Sequence, residues 1–122
     1  MSREAAERLI RATFAGTRYL GRMLEVLDTS QVRVNAAQST LVVFEAVAGA
    51  AEVVKVHVVL GTQAEEVLAP LYDARLIVCE VPDDEPWRHV SAILLSAGFH
   101  EEGRVEDFVA DGVALRLLIR RR

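Results

Sequence analysis

His57, Lys55, Glu45 and Glu80 are the residues whose types and spacing suit proton transfer. His57 and Lys55 lie two apart in Glu52–Leu60, an apolar segment that reads as a strand. Period-two geometry puts both on one face, between Val53 and Val59. An imidazole titrates near neutral pH, which suits a general base. Glu45, in the neighbouring segment Thr40–Val47, is placed to orient His57; it serves equally well as a surface partner of Lys55. The structural alternative for His57 is a histidine satisfied in the core or standing on an exposed sheet face. Glu80 interrupts the apolar run Leu76–Val81, either as the exposed end of a strand or as a second carboxylate base.

Other chemistries find less support. Cys79 is the only cysteine, so no internal disulfide forms. It sits in an apolar strand, whereas reactivity needs an exposed thiolate near positive charge. His89 and His100 fall in separate elements, and no H-x-H, H-E-x-x-H or C-x-x-C spacing occurs, so no metal site is expected. Ser91 and Ser96 lack the G-x-S-x-G elbow of a serine nucleophile. Trp87 reads as a core anchor rather than a stacking platform.

The elements that must position these groups follow from periodicity. From Arg3 to Leu27 apolar residues recur at helical spacing, with Ser2 as a candidate cap; Gly16 and Gly21 make this one bent helix or two short ones. Gln31–Ala36, Thr40–Val47 and Glu52–Leu60 read as strands, the last two joined in a hairpin by Gly49-Ala50-Ala51. Gly61 ends the third strand, and Thr62 and Glu65 have the spacing of a capping box for a short helix that Pro70 limits. Strand, helix and strand from Val53 to Val81 predict a parallel crossover. Leu76–Val81 suits a central strand covered on both faces.

In the last third, Asp83–Glu85 caps a helix over Pro86–Ala97, and Gly98 ends it. Two strands joined by Asp111-Gly112 follow. A type I′ turn there pairs Ala110 with Val113, Phe108 with Leu115 and Asp107 with Arg116. This order, with Gly98-Phe99, Glu102-Gly103 and Asp111-Gly112 at its joints, resembles the C-terminal half of the GNAT superfamily of N-acetyltransferases. The resemblance implies an α+β fold: a mixed sheet in three layers, the acyl-CoA N-acyltransferase fold lacking its first strand. It implies transfer of an acyl group from acetyl-CoA or another acyl-CoA to an amine, with His57 as base and Glu45 beside it. The family's Gln/Arg-x-x-Gly-x-Gly/Ala diphosphate loop falls on Leu60–Glu66, making Gly61, Thr62 and Gln63 the cofactor-binding candidates. That stretch holds one glycine and is followed by Glu65 and Glu66. The positions of the family's Asn and general-acid Tyr hold Trp87 and Leu94. Two functions follow as expectations: a divergent N-acyltransferase, or a GNAT-fold module that binds a small ligand or dimerises without catalysis.

The chain of 122 residues fits one domain spanning 1–122, and its 52% hydrophobic content is enough to bury a core. A formal net charge of -4 argues against non-specific nucleic-acid binding; the Arg120–Arg122 run reads as a solvated end. No apolar run approaches the roughly 20 residues of a membrane span, so a cytoplasmic location is expected. Exposed sheet edges predict a homodimer, with the terminal hairpin as its contact.

Overall fold

The structure, a computed structural model, describes residues 2–122, with the side chain of Ser2 outside the described set. The capping role expected of Ser2 therefore lies outside the described residues. Two helices open the chain, α1 (Ser2–Phe14) and α2 (Leu20–Thr29). The break falls at Gly16, whose φ of 76° is open to glycine at little cost; Gly21 is absorbed within α2. Strands β1 (Gln31–Val34), β2 (Leu41–Ala46) and β3 (Val53–Leu60) form an antiparallel meander. Helix α3 (Ala64–Leu68) runs into a 3-10 turn, Ala69–Leu71, with Pro70 inside it. Strand β4 (Leu76–Pro82), a 3-10 turn at Glu85–Trp87, helix α4 (Arg88–Ser96), β5 (His100–Ala110) and β6 (Val113–Arg121) complete the order. The six strands form one sheet in the order β1-β2-β3-β4-β6-β5, and β3 pairs with β4 in parallel as the crossover predicts.

Helices cover both faces of the middle strands. Leu41, Val42 and Val43 are consecutive, point alternately to opposite faces, and are all fully buried. The α1–α2 junction and the start of α4 are clamped together by an aromatic cluster. Trp87 meets Phe14 at 5.0 Å and Tyr19 at 5.6 Å between ring centroids, the latter edge-on. The Tyr19 hydroxyl donates to Asp84 at 2.7 Å, tying the α1–α2 junction to the residue that caps the Glu85 turn. Asp84 accepts from the Glu85 N–H at 2.9 Å, so the acidic cap expected there is formed. At the other end of α4, Gly98 takes φ 91° and the Phe99 N–H returns to the Leu94 carbonyl at 3.1 Å. This is the glycine-terminated exit that the Gly98-Phe99 pair predicts.

Two local expectations are overturned. Thr62 does not cap α3: the cap position is Gln63, and no side chain bonds the helix start. The reason lies in the approach, because the loop is held against Thr40 and the helix begins one residue later than the capping box requires. In the terminal hairpin, Ala110 faces Val113 as expected, but Leu115 faces Val105 and Arg116 faces Arg104. Of the two turn residues only Gly112 has positive φ, 78°, so the turn is not type I′. Asp107 instead takes φ 58° and accepts the Gly112 N–H at 2.7 Å, absorbing an irregular stretch between Val105 and Ala110. The Asp107–Arg116 pair is replaced by Arg116 with Glu101 at 2.6 Å, and by Arg104 with Asp83 at 2.8 Å.

Candidate functional site

Parallel pairing between β3 and β4 ends with Lys55 opposite Val78. Beyond that point β3 continues only with β2, and β4 only with β6. The two central strands thus part into a fork, and the groups of interest stand at its crotch. The cause is visible on β3: Val43 pairs with Val58 while Phe44 pairs with Val56, leaving His57 as the extra residue of a bulge. A bulge bends its strand and strengthens its twist, which turns β3 away from β4.

Glu45 stands opposite Lys55 in the β2–β3 register, and its carboxylate reaches diagonally to His57, Oε1 to Nε2, at 2.5 Å. Because a carboxylate only accepts, the His57 Nε2–H donates and Nδ1 is left as the nitrogen able to take a proton. His57 is 9% exposed and the Glu45 side chain 46%, so the contact joins a buried imidazole to a half-exposed carboxylate. Lys55 reaches across the crotch to Glu80 at 3.3 Å. Glu80 is an exposed mid-strand residue rather than a strand end, and Lys55 is its ion partner. The four residues therefore lie together on β2, β3 and β4, and of the two roles open to Glu45 it takes the contact with His57.

A cavity of about 160 Å³ opens on this cluster. Besides Lys55, His57 and Glu80 it is walled by Tyr19, Arg22 and Trp87. These last three were not legible as site residues. Tyr19 and Arg22 come from the junction and first turn of α2, brought there by the aromatic clamp. Trp87 is the core anchor the sequence suggests, at 2% exposure, yet its indole N–H finds no acceptor among the described residues. Burial pushes the Tyr19 hydroxyl upward from its ordinary pKa, with Asp84 adding to the shift, so Tyr19 stays a protonated donor. Cys79, one residue past the end of the β3–β4 pairing, is fully buried, and burial pushes its thiol up to about 12. It is inert.

The second candidate region is the loop Gly61–Gln63. Gly61 has φ 111°, and a Cβ there would lie 2.4 Å from the Ser39 carbonyl oxygen. The Gln63 N–H donates to Thr40 Oγ1 at 3.0 Å. Thr40 is fully buried, and its own N–H and that of Ser39 are held by the Asn35 side chain at 3.0 and 2.9 Å. From α4, His89 Nε2 donates to the Gly61 carbonyl at 3.0 Å. Thr62, Ala64 and Glu65 face a gap of about 360 Å³ between α3 and α4 that His89 also lines. One of the N–H groups that a diphosphate needs is therefore taken by the protein, and Glu65 and Glu66 bring negative charge to the first turn. The gap has room for a ligand, but the loop is a poor anion cradle.

His89 and His100 stay apart from the fork cavity, and no group of three or more metal-ligating side chains occurs among the described residues. No described helix is long and apolar enough to cross a membrane.

No family profile and no curated protein matches the sequence. Solved structures do match the fold. A GNAT-family protein from Desulfovibrio desulfuricans superposes with a TM-score of 0.76 at 11% identity, covering 98% of this chain and 91% of that one. An aminoglycoside 6'-N-acetyltransferase complexed with coenzyme A gives 0.70 at 9% identity, covering 98% and 89%. An N-acetyltransferase from Staphylococcus aureus gives 0.64 at 8%, covering 97% and 91%. With identities this low the likeness speaks for backbone architecture, and it agrees with the forked mixed sheet described above: the chain has the fold of the GNAT N-acetyltransferases.

Proposed function

We propose that this protein is an acyl-CoA-dependent N-acyltransferase in which His57 is the general base and Glu45 its positioning partner. The observation that carries the reading is the 2.5 Å His57–Glu45 contact at the crotch of the fork. The amine nitrogen of the acceptor attacks the thioester carbonyl carbon. Its proton passes to His57 Nδ1, and the carbon–sulfur electron pair leaves with sulfur. Glu45 stabilises the imidazolium that forms. Such a base contributes about 10²–10⁴-fold to rate. That one solved structure of this fold holds coenzyme A supports the donor class. The thioester arm suits the fork. The diphosphate meets Gly61, Thr62 and Gln63 with the Gln63 N–H already engaged, so the grip on the donor is weak at that end. The test is release of free thiol from acetyl-CoA in the presence of an amine panel. Turnover that is lost in His57→Gln supports the reading; turnover that survives it removes His57 from the mechanism.

A second reading is favoured by the loop itself. A Gly61–Gln63 turn closed on Thr40 and latched by His89 suits a GNAT-fold module that binds or dimerises without catalysis. Its contact surface is the edge strand β5, where Val105 is 53% and Phe108 64% exposed. Light scattering showing a dimer that Phe108→Asp dissociates, together with no heat of acetyl-CoA binding, selects this reading. A strict monomer that turns over acetyl-CoA rejects it.

A further inference from the structure

Donors and charges around the fork cavity do not balance within the protein, and the imbalance describes a ligand. Glu80 offsets Lys55 at 3.3 Å, and Glu45 is committed to His57. Arg22 is different: its ion contact is with Glu25 at 3.8 Å, with the two side chains 67% and 72% exposed. An exposed pair of this kind holds an arginine only weakly. Trp87 adds a buried N–H with no acceptor among the described residues. Trp87 and Arg22 thus line a cavity that His57 also lines, one with an unpaired N–H and the other a cation held only by an exposed pair.

We propose that the fork cavity takes a small amino-acid-type zwitterion as acceptor: its amine goes to His57 and its carboxylate to Arg22 and the Trp87 N–H. This rests on the acyl-transfer reading and names the substrate class for it. A carboxylate accepts two or more hydrogen bonds and matches the fork of donors that a guanidinium presents. It also satisfies the indole N–H, which otherwise costs the folded chain an unmade hydrogen bond. The cavity of about 160 Å³ lies below the roughly 300–1,000 Å³ of a drug-sized ligand's site, which suits a small ligand. A polycationic acceptor meets Arg22 and Lys55 at the same walls and is disfavoured.

The experiment compares L-alanine with ethylamine, which is alanine without its carboxylate, on the full chain with acetyl-CoA as donor. The expected result is a kcat/KM for alanine at least tenfold above that for ethylamine. In Arg22→Gln the alanine KM rises about tenfold and the ratio falls towards one. Arg22 is exposed, so the variant folds, and its unfolding midpoint checks this. Equal use of the two amines, or an alanine KM untouched by Arg22→Gln, overturns the acceptor class and leaves acyl transfer standing. If neither amine is turned over, acyl transfer fails, and calorimetry with alanine alone decides the site. Binding that Arg22→Gln weakens about tenfold upholds the carboxylate subsite, and no heat of binding overturns it.

Discussion

The fork and the Gly61–Gln63 loop border two separate cavities, and they treat their polar groups in opposite ways. At the fork, the bulge at His57 parts β3 from β4; His57, Arg22 and Trp87 line a cavity, with Glu45 bonded to His57 beside it. At the loop, the protein satisfies its own groups: Thr40 accepts the Gln63 N–H, His89 donates to the Gly61 carbonyl, and Ser39 and Thr40 fill the space beside Gly61. The Gln63 N–H packs against the buried Thr40 and takes its hydroxyl as acceptor, so this loop closes on its neighbour. A site made of side chains escapes that constraint, because a charged side chain can be half-satisfied by one partner and still present a face to a ligand. The lesson is that one fold can keep an open polar cluster at its fork while its loop before α3 closes on itself.

The contrast breaks most sharply at His57. Replacing it with Gln should lower kcat by about 10²–10⁴-fold, with the thermal midpoint little changed. Glu45→Gln should cost less, since it removes only the stabiliser of the imidazolium. Measuring thiol release for both separates the base from its partner.

The loop should respond in stability rather than in rate. Gly61→Ala places a Cβ against backbone at 2.4 Å and forces a positive φ of 111° on a side-chain residue. An effect of roughly 1–3 kcal/mol or more is expected from strain alone, read as a lowered urea midpoint at constant slope. Thr40→Val keeps the shape and removes the acceptor of the Gln63 N–H, at a cost of about 1–3 kcal/mol. If acetyl-CoA binds Thr40→Val more tightly than the parent, the freed N–H has reached the diphosphate and the anchor is one substitution from restoration.

A smaller effect probes the fork's inert residue. Burial raises the Cys79 thiol to about 12, so the folded chain holds this proton more tightly than the unfolded chain does. Its contribution to stability is therefore complete below the unfolded thiol's pKa and is lost as pH rises from there through about 12. Cys79→Ala should flatten the alkaline side of the stability–pH profile. The mirror case is Asp83, whose carboxyl the Arg104 hydrogen bond holds below its ordinary range. Its contribution is present above the unfolded carboxyl's pKa and fades as pH falls through the folded value.

The chain's own order of residues determined a good deal. Alternation in Thr40–Val47 and Glu52–Leu60, the glycines at 49, 61 and 98 and the acidic cap before Trp87 set the strands, the crossover and the end of α4. These signals are local, and local backbone physics answers them. The same alternation drew His57, Lys55 and Glu45 together as candidates, although the bulge at His57 interrupts it there. Tertiary structure alone decided the rest. Whether Thr62 capped its helix depended on Thr40, twenty-two positions earlier in the numbering and adjacent only after folding. The register of β5 on β6 depended on Asp107 taking a left-handed turn, which a hairpin rule applied outwards from Asp111-Gly112 does not foresee. Tyr19, Arg22 and Trp87 became walls of one cavity because an aromatic clamp joins three separate elements there. Periodicity reports which face a residue takes; which other element that face meets is settled by packing over long sequence separation, where no short-range pattern carries the information.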